Sequence, residues 1–209
     1  MFFIRTFQYL IGMTIIYLAT TLVVKSTIGA GFWSALFVGL SDSLPFSVGV
    51  WFAASQILIV FINALLLKGK PELLAFIPIL LESIIFDFWL EVVFKNIHFT
   101  DFLLITRIGI FMLALVIAGF GVALYIMTGF PRSPVDQLFI AISYRFKFKI
   151  GASQTLVAFT VSVVAFLLGG PVGVGTILSV FLLGPCIQFW LHKIDKVKLL
   201  KHEPNHAHA

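Results

Sequence analysis

The amino-acid sequence predicts an all-α, polytopic membrane helix bundle. Six transmembrane helices are expected as two inverted three-helix repeats, each with a short re-entrant or interfacial helix after its first span. Three observations predict it. First, the 209-residue chain is 60% apolar and 11% charged, with a mean hydropathy of +1.10, whereas soluble domains run at about 45–50% apolar and about 25% charged. Second, six apolar runs, at residues 7–24, 48–67, 73–94, 108–127, 152–168 and 172–191, each approach the roughly 20 residues that cross a bilayer. Third, the chain matches itself at an offset of 102 residues, Arg5 falling on Arg107 and Gly49 on Gly151. Together these exclude a soluble enzyme and any sizeable aqueous domain, because no polar stretch is long enough to build a second core.

Each run should be helical, since in hydrocarbon every backbone N–H and C=O must be paired within the segment or in a closed barrel. The alternating pattern of barrel strands is absent. The run at 7–24 follows Arg5, exceeds a usual signal-peptide core and lacks an Ala-x-Ala-like cleavage site, so it is expected to be the first span. Gly29-Ala30-Gly31 then breaks the helix, and residues 32–40 form a short one that ends at Ser41-Asp42-Ser43 and Pro45. Short joins at 68–72, 95–101 and 169–171 connect neighbouring spans. The glycines from Gly169 to Gly175 lack the G-x-G-x-x-G spacing and follow a helix, which predicts a tight turn with close packing.

The second long loop is the more legible. Ser133 suits an N-cap, Pro134 the first helical position, and Asp136 the acidic place of a capping box. Val135, Leu138, Phe139, Ile142 and Phe146 then follow helical periodicity, predicting a short amphipathic helix over 134–144. The units are therefore 1–102 and 103–194, followed by a basic tail, 195–209, expected to be disordered.

Basic residues orient the bundle, because cytoplasmic loops collect Lys and Arg. With the N-terminus inside, Arg5, Lys68, Lys70, Arg132, Arg145, Lys147, Lys149, Lys193, Lys196, Lys198 and Lys201 fall inside, and only Lys25, Lys95 and Arg107 outside. Both termini are thus expected in the cytoplasm, and the formal charge of +5 needs no nucleic acid. The 102-residue offset also places Leu36-Phe37 on Leu138-Phe139, Ser41 on Ser143 and Phe46 on Phe148. After small gaps, Pro71 meets Pro171 and Asp87-Phe88-Trp89 meets Gln188-Phe189-Trp190. Three spans per unit is an odd number, so the second copy should sit upside down relative to the first.

Two short helices entering from opposite faces with their N-termini inward would form a midplane site of the kind that broken helices make in transporters. Their unpaired N–H groups favour an anionic group, and Arg132 would add a full charge. The alternative is that both lie flat at the interface, with Trp33 and Tyr144 as belt residues. Candidate substrate-binding residues are Arg132, Ser133, Asp136, Gly29, Gly31, Trp33, Gln56 and Gln154. Glu82 and Asp87 are acids inside a span, which by default mark a pathway or proton relay; the bland alternative for Glu82 is a bond to Gln56, Asn63 or a backbone carbonyl. Gln188 is expected to bond between helices.

Enzyme signatures are missing: there is no H-E-x-x-H, G-x-S-x-G or Walker A motif, and all five histidines lie outside the spans or at their ends. The single cysteine, Cys186, allows neither a disulfide within the chain nor a cysteine-based metal site. No enzyme activity, cofactor or metal is expected. The expected partners are the lipid bilayer and an unidentified small molecule, with a homodimer or a membrane-protein partner left open.

Taken together, Arg5, the run from Ile28 through Gly29-Ala30-Gly31-Phe32-Trp33 to Leu36, Ser47-Val48-Gly49, Ser133-Pro134-Val135-Asp136-Gln137-Leu138, and Gly173-Val174-Gly175-Thr176 with Gly184-Pro185 carry a resemblance. The chain resembles the YczE branch of the YitT/YczE bacterial membrane proteins over nearly its whole length. Val135 stands where such proteins often carry Trp, and Gln188 where an Asp is usual. The resemblance implies a bacterial inner-membrane protein and brings no substrate with it. The expected function is a small transporter or permease-like protein. Its competitors are a non-transporting accessory or scaffold and, third, the substrate-binding subunit of a vitamin uptake complex, whose Ala-x-x-x-Ala docking pattern is absent from 7–24.

Overall fold

In hydrocarbon a backbone is paired either within a helix or in a closed barrel, and the described residues contain no strand. The computed structural model describes residues 2–130 and 133–201. The helices are α1 (Phe2–Lys25), α2 (Phe32–Ser43), α3 (Val48–Leu67), α4 (Phe76–Asp87), α5 (Leu104–Ile126), α6 (Pro134–Phe146), α7 (Ile150–Leu167) and α8 (Val174–Lys201). A 3-10 turn, Leu73–Ala75, leads into α4, and a π-helical segment, Phe88–Val93, continues it. Among the described residues, six segments are long and apolar enough to cross a membrane, and they coincide with the six predicted runs. The protein is a multi-pass membrane protein.

Three boundaries differ from the expectation. α2 extends through Ser41-Asp42-Ser43 to Ser43, and α6 runs to Phe146 before Lys147 turns left-handed at φ 59°. α8 continues to Lys201, so 195–201 are helical where a disordered tail is expected. No Gly or Pro interrupts the chain between Cys186 and Lys201, and lysine has good helix propensity.

The bundle is organised around the crossing of α1 and α5, its most extensive helix contact. Small residues permit it. A Cβ on Gly12 would stand 3.0 Å from the Gly121 carbonyl oxygen, and one on Gly121 would stand 2.9 Å from that of Gly12, so the two backbones touch directly, as small residues allow between membrane helices. Ala19 and Ala114, completely buried, lie on the same two helices. Around this crossing, α4 packs on α1 and α8 on α5, α2 on α7 and α3, and α6 on α3 and α7. The largest core cluster joins Phe37, Phe52, Ile79 and Phe86, with Tyr17 packed against it.

Local geometry recurs along the chain. α2 begins at Phe32 and α6 at Pro134; α3 begins at Val48 and α7 at Ile150. After α1, Ser26 Oγ donates to the Val23 carbonyl at 2.6 Å and accepts from Ile28 N at 3.5 Å. After α5, Thr128 Oγ1 donates to the Tyr125 carbonyl at 2.7 Å and accepts from Phe130 N at 3.4 Å. Trp89 Nε1 donates to the Thr14 carbonyl on α1 at 3.1 Å, and Trp190 Nε1 to the Val116 carbonyl on α5 at 3.0 Å. Each second partner stands 101 or 102 residues beyond its first counterpart.

Candidate functional site

The first turns of the two short helices line one cavity of about 510 Å³. Its wall takes Gly31, Phe32, Trp33 and Ser34 from α2, and Ser133 and Asp136 from α6. α1 and α5 add Tyr17, Leu115 and Tyr125, α4 adds Glu82, α7 Gln154, and α8 the stretch around Leu183. The depth can be read from the spans. Gln56, whose Nε2 donates to Ser133 Oγ at 3.3 Å, is the ninth of the 20 residues of α3, about 12 Å from its start at 1.5 Å per residue. Glu82 is the tenth residue of the 21-residue span Leu73–Val93. The cavity lies at the middle of these helices.

α3 holds the second short helix by its beginning: Asn63 Nδ2 donates to the Pro134 carbonyl at 2.8 Å, about two turns beyond the Gln56 bond. Both Gln56 and Asn63 are therefore interhelical hydrogen-bonders. Ser133 Oγ makes no side-chain cap at α6 and instead accepts from Gln56 Nε2. Gly31, the N-cap of α2, has no side chain to offer. Both helices thus present first-turn N–H groups with no acceptor from their N-cap side chains. The Trp33 indole N–H is buried in the same region with no hydrogen-bond partner among the described residues.

Glu82 is buried, and Tyr17 Oη donates to its Oε2 at 2.8 Å. Neither Gln56 nor Asn63 is its partner; both are committed to α6. Tyr17 was not legible as a site residue by motif. The available signal was a phenol within an apolar span, whose hydroxyl needs a partner when buried.

Asp87 has a different position. Its Oδ2 accepts from Ser47 Oγ at 2.5 Å and its Oδ1 from Gly49 N at 2.6 Å, while Ser47 Oγ accepts from Val50 N at 3.3 Å. This carboxylate ties the N-terminus of α3 to α4, where the helix dipole favours negative charge, and it is not part of the cavity wall. Gly29 is also outside the wall: at φ +130°, it lies against the start of α8, where a Cβ would stand 2.9 Å from Gly173 N and Thr176 N. The turn at 169–173 is closely packed as predicted, with Ala30 N donating to the Pro171 carbonyl at 2.8 Å. Gln154 is exposed at the cavity's edge, Gln188 is exposed on α8, and Tyr144 is 76% exposed near the end of α6. Arg132 lies outside the described residues. Of the predicted candidates, Gly31, Trp33, Glu82, Ser133, Asp136 and Gln154 meet at one cavity, with Gln56 bonded to its wall.

Residues 3–192 match the model of a family of unknown function, DUF6198. The chain is 34% identical over 193 residues to the uncharacterized protein YyaS of Bacillus subtilis, covering 92% of this chain and 95% of that one. It is 30% identical over 195 residues to an uncharacterized protein of Haemophilus influenzae, covering 93% and 86%. It is 26% identical over 184 residues to the uncharacterized membrane protein YczE of B. subtilis, covering 88% and 83%. No solved structure matches the chain. The chain belongs to the DUF6198 family.

Proposed function

We propose that this DUF6198 protein is a small secondary transporter or permease-like protein of the bacterial inner membrane, within the wider YitT/YczE grouping. It moves a solute and does not transform it. Both termini lie in the cytoplasm, as the uneven distribution of Lys and Arg supports. The two halves are inverted copies related by a twofold axis in the membrane plane. The pattern of helix contacts supports this: α2 on α7 has its counterpart in α6 on α3, α1 on α4 in α5 on α8, and α2 on α3 in α6 on α7, while α1 on α5 is its own counterpart. The paired indole bonds of Trp89 and Trp190 support it further.

The observation that carries the proposal is that the N-terminal turns of α2 and α6 share a mid-span cavity with a buried carboxylate. Broken helices that meet at the midplane are how transporters hold a ligand within hydrocarbon. The first-turn N–H groups and the Trp33 indole take an acceptor-rich, anionic substrate group, and Arg132, adjacent in sequence to Ser133, is the candidate to supply positive charge to it. Glu82, held by Tyr17, is the site at which a proton couples to movement, the default role of an intramembrane acid. Purified protein in proteoliposomes, given a pH gradient and a set of candidate metabolites, should show uptake or efflux that is lost in Arg132→Ala and uncoupled from the gradient in Glu82→Gln. Absence of any flux that responds to either substitution would favour the scaffold instead.

A further inference from the structure

The two halves are built alike, yet one seam is closed and its counterpart is open. α3 packs along α4, with Ser83 Oγ donating to the Gly49 carbonyl at 2.7 Å and Asp87 accepting from Gly49 N. The seam is tight enough that a Cβ on Gly49 would stand 2.6 Å from Asp87 Cγ. In the second half, Gly151 stands in place of Gly49, Gly184 in place of Ser83, and Gln188 in place of Asp87. The Ser83 hydroxyl and the Asp87 carboxylate that clasp the first seam therefore have no counterpart in the second, where Gln188 is exposed. A Cβ added at either Gly151 or Gly184 would meet nothing within 4 Å. α7 and α8 have no packing comparable to that of α3 and α4 among the described residues.

This open seam is continuous with the central cavity. Gly184 and Gln154 both belong to the cavity wall and are both exposed, as is Asp136 at the start of α6. Outside the seam, α7 presents Phe159, 68% exposed, and α8 presents Phe181, 71% exposed. Inside it, the α8 wall is Val180, Leu183 and Ile187. The Val180, Leu183 and Ile187 side of this passage is apolar, so an acyl chain can lie along it without desolvating a polar group there, while Asp136 and Gln154 mark its polar side. We propose that the cavity opens sideways into the bilayer between α7 and α8, and that its ligand is a membrane-dissolved amphiphile. Its apolar part lies along α8, and its polar head reaches Trp33 and Glu82. The identity of this ligand rests on the transport reading of the same cavity; the sideways opening is independent of it.

Tryptophan fluorescence tests the opening directly. The chain has four tryptophans; replacing Trp51, Trp89 and Trp190 by Phe leaves Trp33 in the cavity wall as the reporter. The protein is reconstituted in phosphatidylcholine carrying brominated acyl chains, with plain phosphatidylcholine plus aqueous iodide as the contrast. Trp33 should lose as much emission to the brominated lipid as a tryptophan introduced by Phe181→Trp, with Trp33 also replaced by Phe, and little to iodide. Gly184→Phe, which fills the opening, should restore the Trp33 emission. Strong quenching by iodide with none by brominated lipid would overturn the proposal, placing the opening in water. Those two quenchers decide the matter even if Gly184→Phe does not fold. Flux in proteoliposomes is a separate readout: lipid quenching without flux would leave the opening standing and overturn transport, whereas flux of a soluble metabolite without lipid quenching would do the reverse.

Discussion

Replacing Asp87 by Ala removes two hydrogen bonds at once, those from Ser47 Oγ at 2.5 Å and Gly49 N at 2.6 Å. Hydrogen bonds to a charged group contribute about 1.5–3 kcal/mol each, and a carboxylate near a helix N-terminus adds about 0.3–1 kcal/mol. The two bonds share one carboxylate, and Ser47 keeps its bond to Val50 N, so the sum is an upper bound. A loss of about 3 kcal/mol is expected, equivalent to a fall in Tm of about 6–12 °C for a chain of this size. Asp87→Asn retains an acceptor for Gly49 N and should lose roughly half as much. Thermal unfolding of detergent-solubilised protein measures both, and flux in proteoliposomes measured below the lowered Tm should be unchanged in Asp87→Asn. A loss under about 1 kcal/mol for Asp87→Ala, or flux abolished in a well-folded Asp87→Asn, would refute the assignment of this acid to the α3–α4 clasp and return it to a solute pathway.

Other consequences follow from the same packing. Tyr17→Phe removes the donor to Glu82 Oε2 and should cost about 1–3 kcal/mol of stability, measured by the same melt. Gly121→Ala forces a methyl group against the Gly12 carbonyl and Ile16 and should cost about 1–3 kcal/mol by separating α1 from α5; a neutral result would mean the crossing is looser than described. If the halves are equivalent, Trp89→Phe and Trp190→Phe should each lose about 1 kcal/mol, and a large difference between them would argue against a shared architecture. Reporter fusions after Lys201 should signal from the cytoplasm, and a periplasmic signal would remove the basis for the orientation.

The six spans were legible because hydrocarbon imposes one rule on every residue: 20-odd apolar positions with internally paired backbones can only be helices, so composition and run length suffice. The short helices at Phe32 and Pro134 were legible for local reasons, Gly29 and Gly31 breaking one segment and Pro134 with helical periodicity opening the other. Partnerships were not. Ser133 has the sequence position of a cap, but a side chain from a distant span claimed its hydroxyl, and nothing in the local sequence tells Ser133 that Gln56 is 3.3 Å away. Glu82 and Asp87 lie five residues apart in one segment, and the sequence separates them only by depth, Glu82 near the centre of the span and Asp87 nearer its outer end. Tertiary structure gave them opposite surroundings, Glu82 a phenol beside a cavity and Asp87 the N-terminus of a neighbouring helix. The physical reason is one of range. Backbone satisfaction in lipid is decided within a few residues of each position, whereas a buried polar side chain is satisfied by whichever helix the packing brings to it.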